Sequence, residues 1–184
     1  KTVLVTGASS AVGNYIAQLL VLQGAHVIGT VGSEAKAAHA RSAGCQEIIF
    51  YKTESVSDRI QGITQHQGVD VIIDMDFSGT SQLLPKGVLK QHGTLVCFGS
   101  NNPGEVPVTF RPLLFGSITL KFFLVYDLSP EDRRWCLRRL SDLLEQNTLK
   151  HTIAAKFKLK DIALAHEAVE QGRLIGNVVI DIRP

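Results

Sequence analysis

Short apolar runs alternate with stretches of helix length along most of this chain. Val3–Val5, Val27–Thr30, Ile48–Phe50, Val69–Ile73 and Leu95–Phe98 are near-continuous in apolar residues, the pattern of strands covered by helices on both faces. Between them the apolar positions fall at helical spacing. Val12, Ile16, Leu19 and Leu20 mark a first helix that stops at Gly24, a helix-ending residue. A second helix starts after Ser33, a good N-cap, and ends near Gly44. A third covers Ser55 to Gln67, with Val56, Ile60 and Ile63 on one face, and a fourth spans Ser81 to Leu89, weakened by Pro85 and Gly87. This βαβ repetition predicts an α/β fold with a doubly wound parallel sheet and right-handed crossovers.

Beyond the fifth strand the rhythm changes. A loop rich in Pro, Gly and Asn, Ser100 to Gly104, precedes a sixth strand over Ile118–Val125. Ser129-Pro130 opens a helix running to about Gln146, with Pro at its first position and Asp132 in its first turn. The tail reads as a strand Ile153–Leu159, a helix Asp161–Gln171 and a strand Asn177–Ile182. Residues 1–150 therefore make the main domain, of Rossmann type with six strands, and 151–184 a short C-terminal α+β tail. The stretch Ser117 to Leu124 is apolar and comes last in the strand order of such a sheet. Its open edge predicts a homodimer.

Composition narrows the function. The 184 residues are 45% apolar and 20% charged, with 19 Lys and Arg against 17 Asp and Glu. A net charge of +2 gives no basic surface for nucleic acid. No apolar run is long enough for a membrane span, and no signal-peptide pattern opens the chain. Cys45, Cys97 and Cys136 lack any metal-ligand spacing, which predicts free, buried or semi-buried thiols in a reducing cytoplasm and no metal site. The chain begins almost at once with a strand, so we expect it to be a piece of a longer polypeptide.

The chemistry concentrates in Val5-Thr-Gly-Ala-Ser-Ser-Ala-Val-Gly13, between the first strand and first helix. Diphosphate binding there needs a tight turn, close backbone approach and a helix packed on the sheet. Against the G-x-G-x-x-G fingerprint the stretch reads Ala8-x-Ser10-x-x-Gly13, so only the last glycine is kept and the strand-turn-helix context carries the reading. The second strand ends in Gly29-Thr-Val-Gly-Ser33 without the acidic residue that binds the ribose of NAD. Ser33 and Lys36 instead offer a hydroxyl and an ammonium to a 2′-phosphate, with Glu34 as a nearby opposing charge. The cofactor expected is NADPH or NADP. The turn also fits the T-G-x-x-x-G-x-G of short-chain dehydrogenases, except at Ala11. However, Tyr15, Tyr51 and Tyr126 are followed four positions on by Leu19, Ser55 and Pro130. The Tyr-x-x-x-Lys pair that those enzymes need is absent.

The sequence resembles the medium-chain dehydrogenase/reductase superfamily, and within it the zinc-free NADPH:quinone oxidoreductases. The matching stretches are Gly7 to Gly13, Val27 to Ser33 with Lys36, Val69 to Asp74, Gly93 to Ser100, Ala165-His-Glu167 and Gly176-Asn-Val-Val179. The resemblance implies hydride transfer to a small quinone or enone. It assigns backbone contacts to the diphosphate at Ala11, Val12 and Gly13, with Ser10 in place of a glycine and able to crowd it. Lys36 and Tyr51 would hold the 2′-phosphate, and Phe98, Gly99 and Ser100 would line the nicotinamide half. Gly172 stands where some members carry a phosphate-binding arginine, with Arg173 beside it, and Asn177 replaces a frequent basic residue. The family's GroES-like substrate domain has no counterpart here, the tail resembles the segment that returns to it, and the family dimerises along the sixth strand. No side chain is assigned as catalytic. An enoyl reductase domain of a polyketide-synthase-type multienzyme, or a non-catalytic NADPH sensor, would share these features.

Overall fold

A computed structural model describes residues 1–183. Its main sheet contains β1 (Thr2–Val5), β2 (His26–Val31), β3 (Glu47–Phe50), β4 (Val69–Asp74), β5 (Leu89–Cys97) and β6 (Thr119–Phe122). All neighbours are parallel and the order is β3-β2-β1-β4-β5-β6, the doubly wound arrangement expected from the sequence.

Side-chain alternation along the strands feeds two cores. Val3 and Val5 of β1, with Val27 and Val31 of β2, face helices α1 (Ala11–Leu22) and α2 (Glu34–Ser42). Leu4, Ile28, Ile49 and Ile72 face the other way, toward Ile60 of α3 (Val56–Ile63). The first core is rich in alanine, including Ala8, Ala17, Ala37 and Ala40. Small side chains there let α1 and α2 lie close against the sheet.

Four elements depart from the sequence pattern. The fourth helix is not one element: a single turn, α4 (Phe77–Thr80), precedes a 3₁₀ turn Leu84–Lys86, which Gly87 ends in the left-handed region at φ 69°. Pro85 in that turn and Gly87 behind it break the helical run. Strand β5 starts earlier than expected, joining β4 across a register shift between Val69 and Val71. Strand β6 has only four residues, and a 3₁₀ turn Val125–Asp127 follows it. A short helix, α5 (Phe110–Phe115), lies in a stretch to which the sequence pattern assigned no element.

The last third is far less buried. Helix α6 (Pro130–Glu145), capped by Ser129, buries only Leu143, and Trp135 is 62% exposed. A separate two-stranded parallel sheet, β7 (Ile153–Lys158) with β8 (Asn177–Asp181), carries α7 (Ile162–Glu170) between its strands. The chain entering β7 is tied back to α1. Gln18 Nε2 donates to the Lys150 carbonyl at 3.1 Å, the Lys150 N–H donates to Gln18 Oε1 at 2.7 Å, and the Tyr15 hydroxyl lies 2.8 Å from His151 Nδ1. Cys45 and Cys97 are buried free thiols, whereas Cys136, on α6, is exposed and not buried as the sequence suggested. No helix among the described residues is long and apolar enough to cross a membrane.

Candidate functional site

The sheet reverses its winding between β1 and β4, and the carboxyl ends of these strands open a crevice there, where doubly wound sheets bind ligands. The turn after β1 is fixed by three hydrogen bonds to its two neighbouring strands. The Thr6 N–H donates to the Ile73 carbonyl at 3.1 Å, the Gly7 N–H to Thr30 Oγ1 at 3.0 Å, and the Ala8 N–H to the Thr30 carbonyl at 3.1 Å. Gly7 takes the left-handed conformation at φ 62°. Gly13 packs directly on this turn: a Cβ there would lie 2.9 Å from the Gly7 carbonyl carbon and 3.0 Å from Ala8 Cα.

Ser10 is the N-cap of α1, and its hydroxyl accepts the Gly13 N–H at 2.9 Å. Among the described residues the N–H groups of Ala11 and Val12 have no hydrogen-bond partner. The helix N-terminus thus presents two donors together with its positive dipole end, while the third donor is engaged by Ser10. The serine hydroxyl is turned onto its own helix.

A second helix N-terminus lies beside the end of β2. Ser33 caps α2, accepting the Lys36 N–H at 3.4 Å. Both nearby carboxylates are turned away to arginines, Glu34 to Arg41 at 3.0 Å and Glu54 to Arg59 at 3.1 Å. Lys36 and Lys52 form no salt bridge among the described residues. The Tyr51 hydroxyl and Lys52 Cε lie over Gly32, 2.9 and 3.4 Å from where its Cβ would be. Ser33, Lys36, Tyr51 and Lys52 therefore gather at one corner. Lys52 was not among the residues expected from sequence, although its place next to Tyr51 at the end of β3 was a usable signal.

Two cavities follow the strand ends. One of about 450 Å³ includes Thr6, Gly7, Thr30 and Tyr51 in its lining, and another of about 580 Å³ includes Phe98, Gly99 and Ser100. The aromatic wall of the second contains Phe77 and Phe122 in edge-to-face contact at 4.9 Å. Of the ten residues singled out by sequence, Tyr51 lines the first cavity and Phe98, Gly99 and Ser100 the second. Ser10, Ala11, Val12 and Gly13 form the α1 end, and Ser33 and Lys36 the α2 end.

Beneath the crevice lies Asp74, the fully buried last residue of β4. Its Oδ1 accepts from the Thr6 hydroxyl at 2.8 Å, the Thr80 hydroxyl at 2.7 Å and the Asp76 N–H at 3.2 Å, which joins the ends of β1 and β4 to α4. Oδ2 has no partner, and burial pushes the carboxyl above its ordinary range. Burial also raises the Cys97 thiol, which donates to the Gly99 carbonyl at 3.1 Å, and takes Cys45 up to about 11. Neither thiol is an activated nucleophile. Among the described residues no three His, Cys, Asp or Glu side chains come together as a metal site.

The zinc-binding dehydrogenase family matches residues 11–142. A 2-haloacrylate reductase from Burkholderia sp is 29% identical over 97% of this chain and 54% of its own length. A Salmonella typhimurium quinone oxidoreductase is 29% identical over 94% of this chain and 54% of its own length. The solved Escherichia coli quinone oxidoreductase complexed with NADPH superposes with a TM-score of 0.84 at 27% identity, covering 98% of this chain and 57% of that one. The chain spans about half the length of the curated relatives it matches.

Proposed function

Because this chain belongs to the zinc-binding dehydrogenase family, we propose that it is the NADPH-binding portion of an oxidoreductase that passes hydride to a quinone or enone. The observation that carries the reading is the pair of unsatisfied N–H groups at Ala11 and Val12, at the helix end that the turn after β1 leads into. They suit a diphosphate, with Gly13 letting α1 pack directly on the Gly7–Ala8 turn. Lys36, Lys52, Tyr51 and Ser33 suit the 2′-phosphate, and Phe98, Gly99 and Ser100 the nicotinamide half. When bound, the cofactor supplies the hydride. The chain's own residues hold it and orient it, with Phe77, Phe98 and Phe122 along one side of its nicotinamide half. We assign no proton-transfer residue and no metal to the reaction. The names of the relatives, quinone oxidoreductase and 2-haloacrylate reductase, support an electron-poor acceptor of the quinone or enone class. We further propose residues 1–150 as the cofactor domain and 151–184 as a tail that returns to a substrate domain.

The 2′-phosphate corner is tested through Lys36. A charge-assisted hydrogen bond is worth about 1.5–3 kcal/mol, so Lys36→Ala is expected to weaken NADPH binding by about 10- to 100-fold. NADH binding should stay nearly unchanged. Equal losses for both cofactors by calorimetry would remove the assignment.

The same reading includes a homodimer joined along β6. The strand is last in the sheet, and Phe122 on it is 56% exposed. An unpaired, apolar edge favours pairing with a second copy. Light scattering at micromolar concentration should give the mass of two chains; a monomer mass would overturn the dimer.

A further inference from the structure

We infer that Asp76 and Asn101 form a positioning clasp, which holds the loop after β5 in place for the nicotinamide-bearing half of the cofactor. The inference rests on the cofactor reading above and adds two residues that it does not use.

Asp76 follows β4 by two residues, and Asn101 follows β5 by four. Asp76 Oδ1 accepts the Asn101 backbone N–H at 2.9 Å and the Ser78 hydroxyl at 2.5 Å, while Oδ2 accepts the Asn101 side-chain amide at 2.7 Å. One carboxylate thus grips both the backbone and the side chain of a single residue on the neighbouring strand's loop. The grip extends a tighter contact. The Phe98 N–H donates to the Asp74 carbonyl at 3.1 Å, and the Phe77 N–H to the Gly99 carbonyl at 3.0 Å. A Cβ on Gly99 would come within 2.7 Å of the Met75 carbonyl oxygen. Residues 74–77 and 98–101 are therefore laced together, with the Asp76–Asn101 pair at the far end of the lacing.

The position of this pair gives it a role beyond stability. Asp76 and Asn101 line the cavity that contains Gly7 and Tyr51, whereas Ser100 and Asn102, on either side of Asn101, line the cavity that contains Phe98. The clasp stands where the two halves of a dinucleotide would meet. A carboxylate in the groove of an anionic ligand also needs an account. Partial burial raises its pKa, but hydrogen bonds from the Asn101 backbone, Ser78 and the Asn101 amide outweigh this and keep the carboxyl below its usual range. It stays charged, with its lone pairs turned onto Asn101. Without Asn101 the same charge would face the groove, and without Asp76 the loop would lose its outer tether.

The test compares two ligands: NADPH, and adenosine 2′,5′-bisphosphate, which lacks the nicotinamide half. Asp76→Asn removes the charge to which Asn101 donates, and Asn101→Asp sets two carboxylates face to face. Either is expected to weaken NADPH about tenfold while moving the bisphosphate by less than about twofold, as for loss of a hydrogen bond to a charged group. The exchanged pair, Asp76→Asn with Asn101→Asp, rebuilds the amide–carboxylate contact with donor and acceptor reversed and should restore NADPH affinity. Equal losses for both ligands would mean a general structural role. A double exchange no better than the singles would mean that Asp76 acts on the ligand rather than through Asn101, and singles without effect would mean no role; each of these overturns the clasp. Failure of the unaltered protein to bind either ligand would remove the cofactor reading itself, and the clasp with it.

Discussion

Replacing Gly13 with alanine is expected to abolish useful cofactor binding and to lower the stability of the fold. The added Cβ would meet the carbonyl group of Gly7 and Ala8 Cα, at 2.9 Å from the Gly7 carbonyl carbon. These are backbone atoms, so no side chain can swing aside. The Gly7 carbonyl also accepts the Ser10 N–H at 2.9 Å, and Ser10 caps α1. Pushing Gly7 away therefore disturbs the cap and moves the N–H groups of Ala11 and Val12 out of line. Overpacking of this kind costs about 1–3 kcal/mol, a fall of several degrees in melting temperature for a chain this long. Misaligning two charge-assisted hydrogen bonds, each worth about 1.5–3 kcal/mol, should weaken NADPH by about 100-fold or more. Gly62→Ala is the control. It lies in α3 with nothing within 4 Å of its would-be Cβ, so it should keep or slightly raise stability. Calorimetry and thermal melting check both variants. A Gly13→Ala protein that melts and binds like the parent would contradict the geometry of the turn.

Local pattern was enough to place the first half of the sheet. Val3 to Val5 and Val27 to Val31 are buried on both faces, so they are apolar but for Thr30, and a helix follows each. The same logic misjudged β6 and passed over α5. Helix α5, Phe110–Phe115, is under two turns long and contains Pro112, too short to show a helical period. The apolar run that suggested a long sixth strand includes Phe123, Leu124 and Val125, but the ladder to β5 ends at Phe122 opposite Cys97. Past it only the Phe123 N–H still bonds to β5, at the Cys97 carbonyl, 3.2 Å, and Leu124 and Val125 are apolar without pairing in the sheet.

At the site, the turn after β1 and the corner of Ser33, Lys36 and Tyr51 that we propose for a 2′-phosphate each lie within a few residues of a strand end, where the sequence pattern is easiest to follow. Glu34 looked like a rival charge to Lys36. The answer lay seven residues on, two turns along the same face of α2, where Arg41 takes the carboxylate. The Asp76–Asn101 clasp spans 25 residues of sequence, and neither residue belongs to the motif. Only the pairing of β4 with β5 brings their loops together. Ser10 carries a similar lesson. Its residue type suggested crowding of a ligand, yet its backbone conformation, φ −69° and ψ 164°, is that of an N-cap and turns the hydroxyl onto Gly13.

Binding and turnover should come apart in these 184 residues: saturable NADPH binding, with NADPH oxidation near background. The residues proposed to hold the cofactor all sit at strand ends and helix N-termini that are present and ordered by the sheet. The residues that would enclose a substrate are another matter. Phe123 and Leu124 line the cavity beside Phe98 yet stay 40% and 61% exposed, an apolar wall that this chain leaves uncovered. The relatives it matches are about twice as long, and we propose that their additional half covers this side. Orientation of bound reactants supplies about 7–11 kcal/mol of barrier lowering in well-ordered sites. A nicotinamide face open to water loses much of that contribution, because the acceptor is neither held nor desolvated. The measurement is steady-state absorbance at the reduced-cofactor band with a quinone acceptor such as 9,10-phenanthrenequinone, alongside calorimetric titration with NADPH. Tight binding with background oxidation is the expected pair of results. Rapid quinone-dependent oxidation by this chain alone would show that its own residues complete the substrate pocket, and the division of labour proposed here between a cofactor half and a substrate half would be wrong.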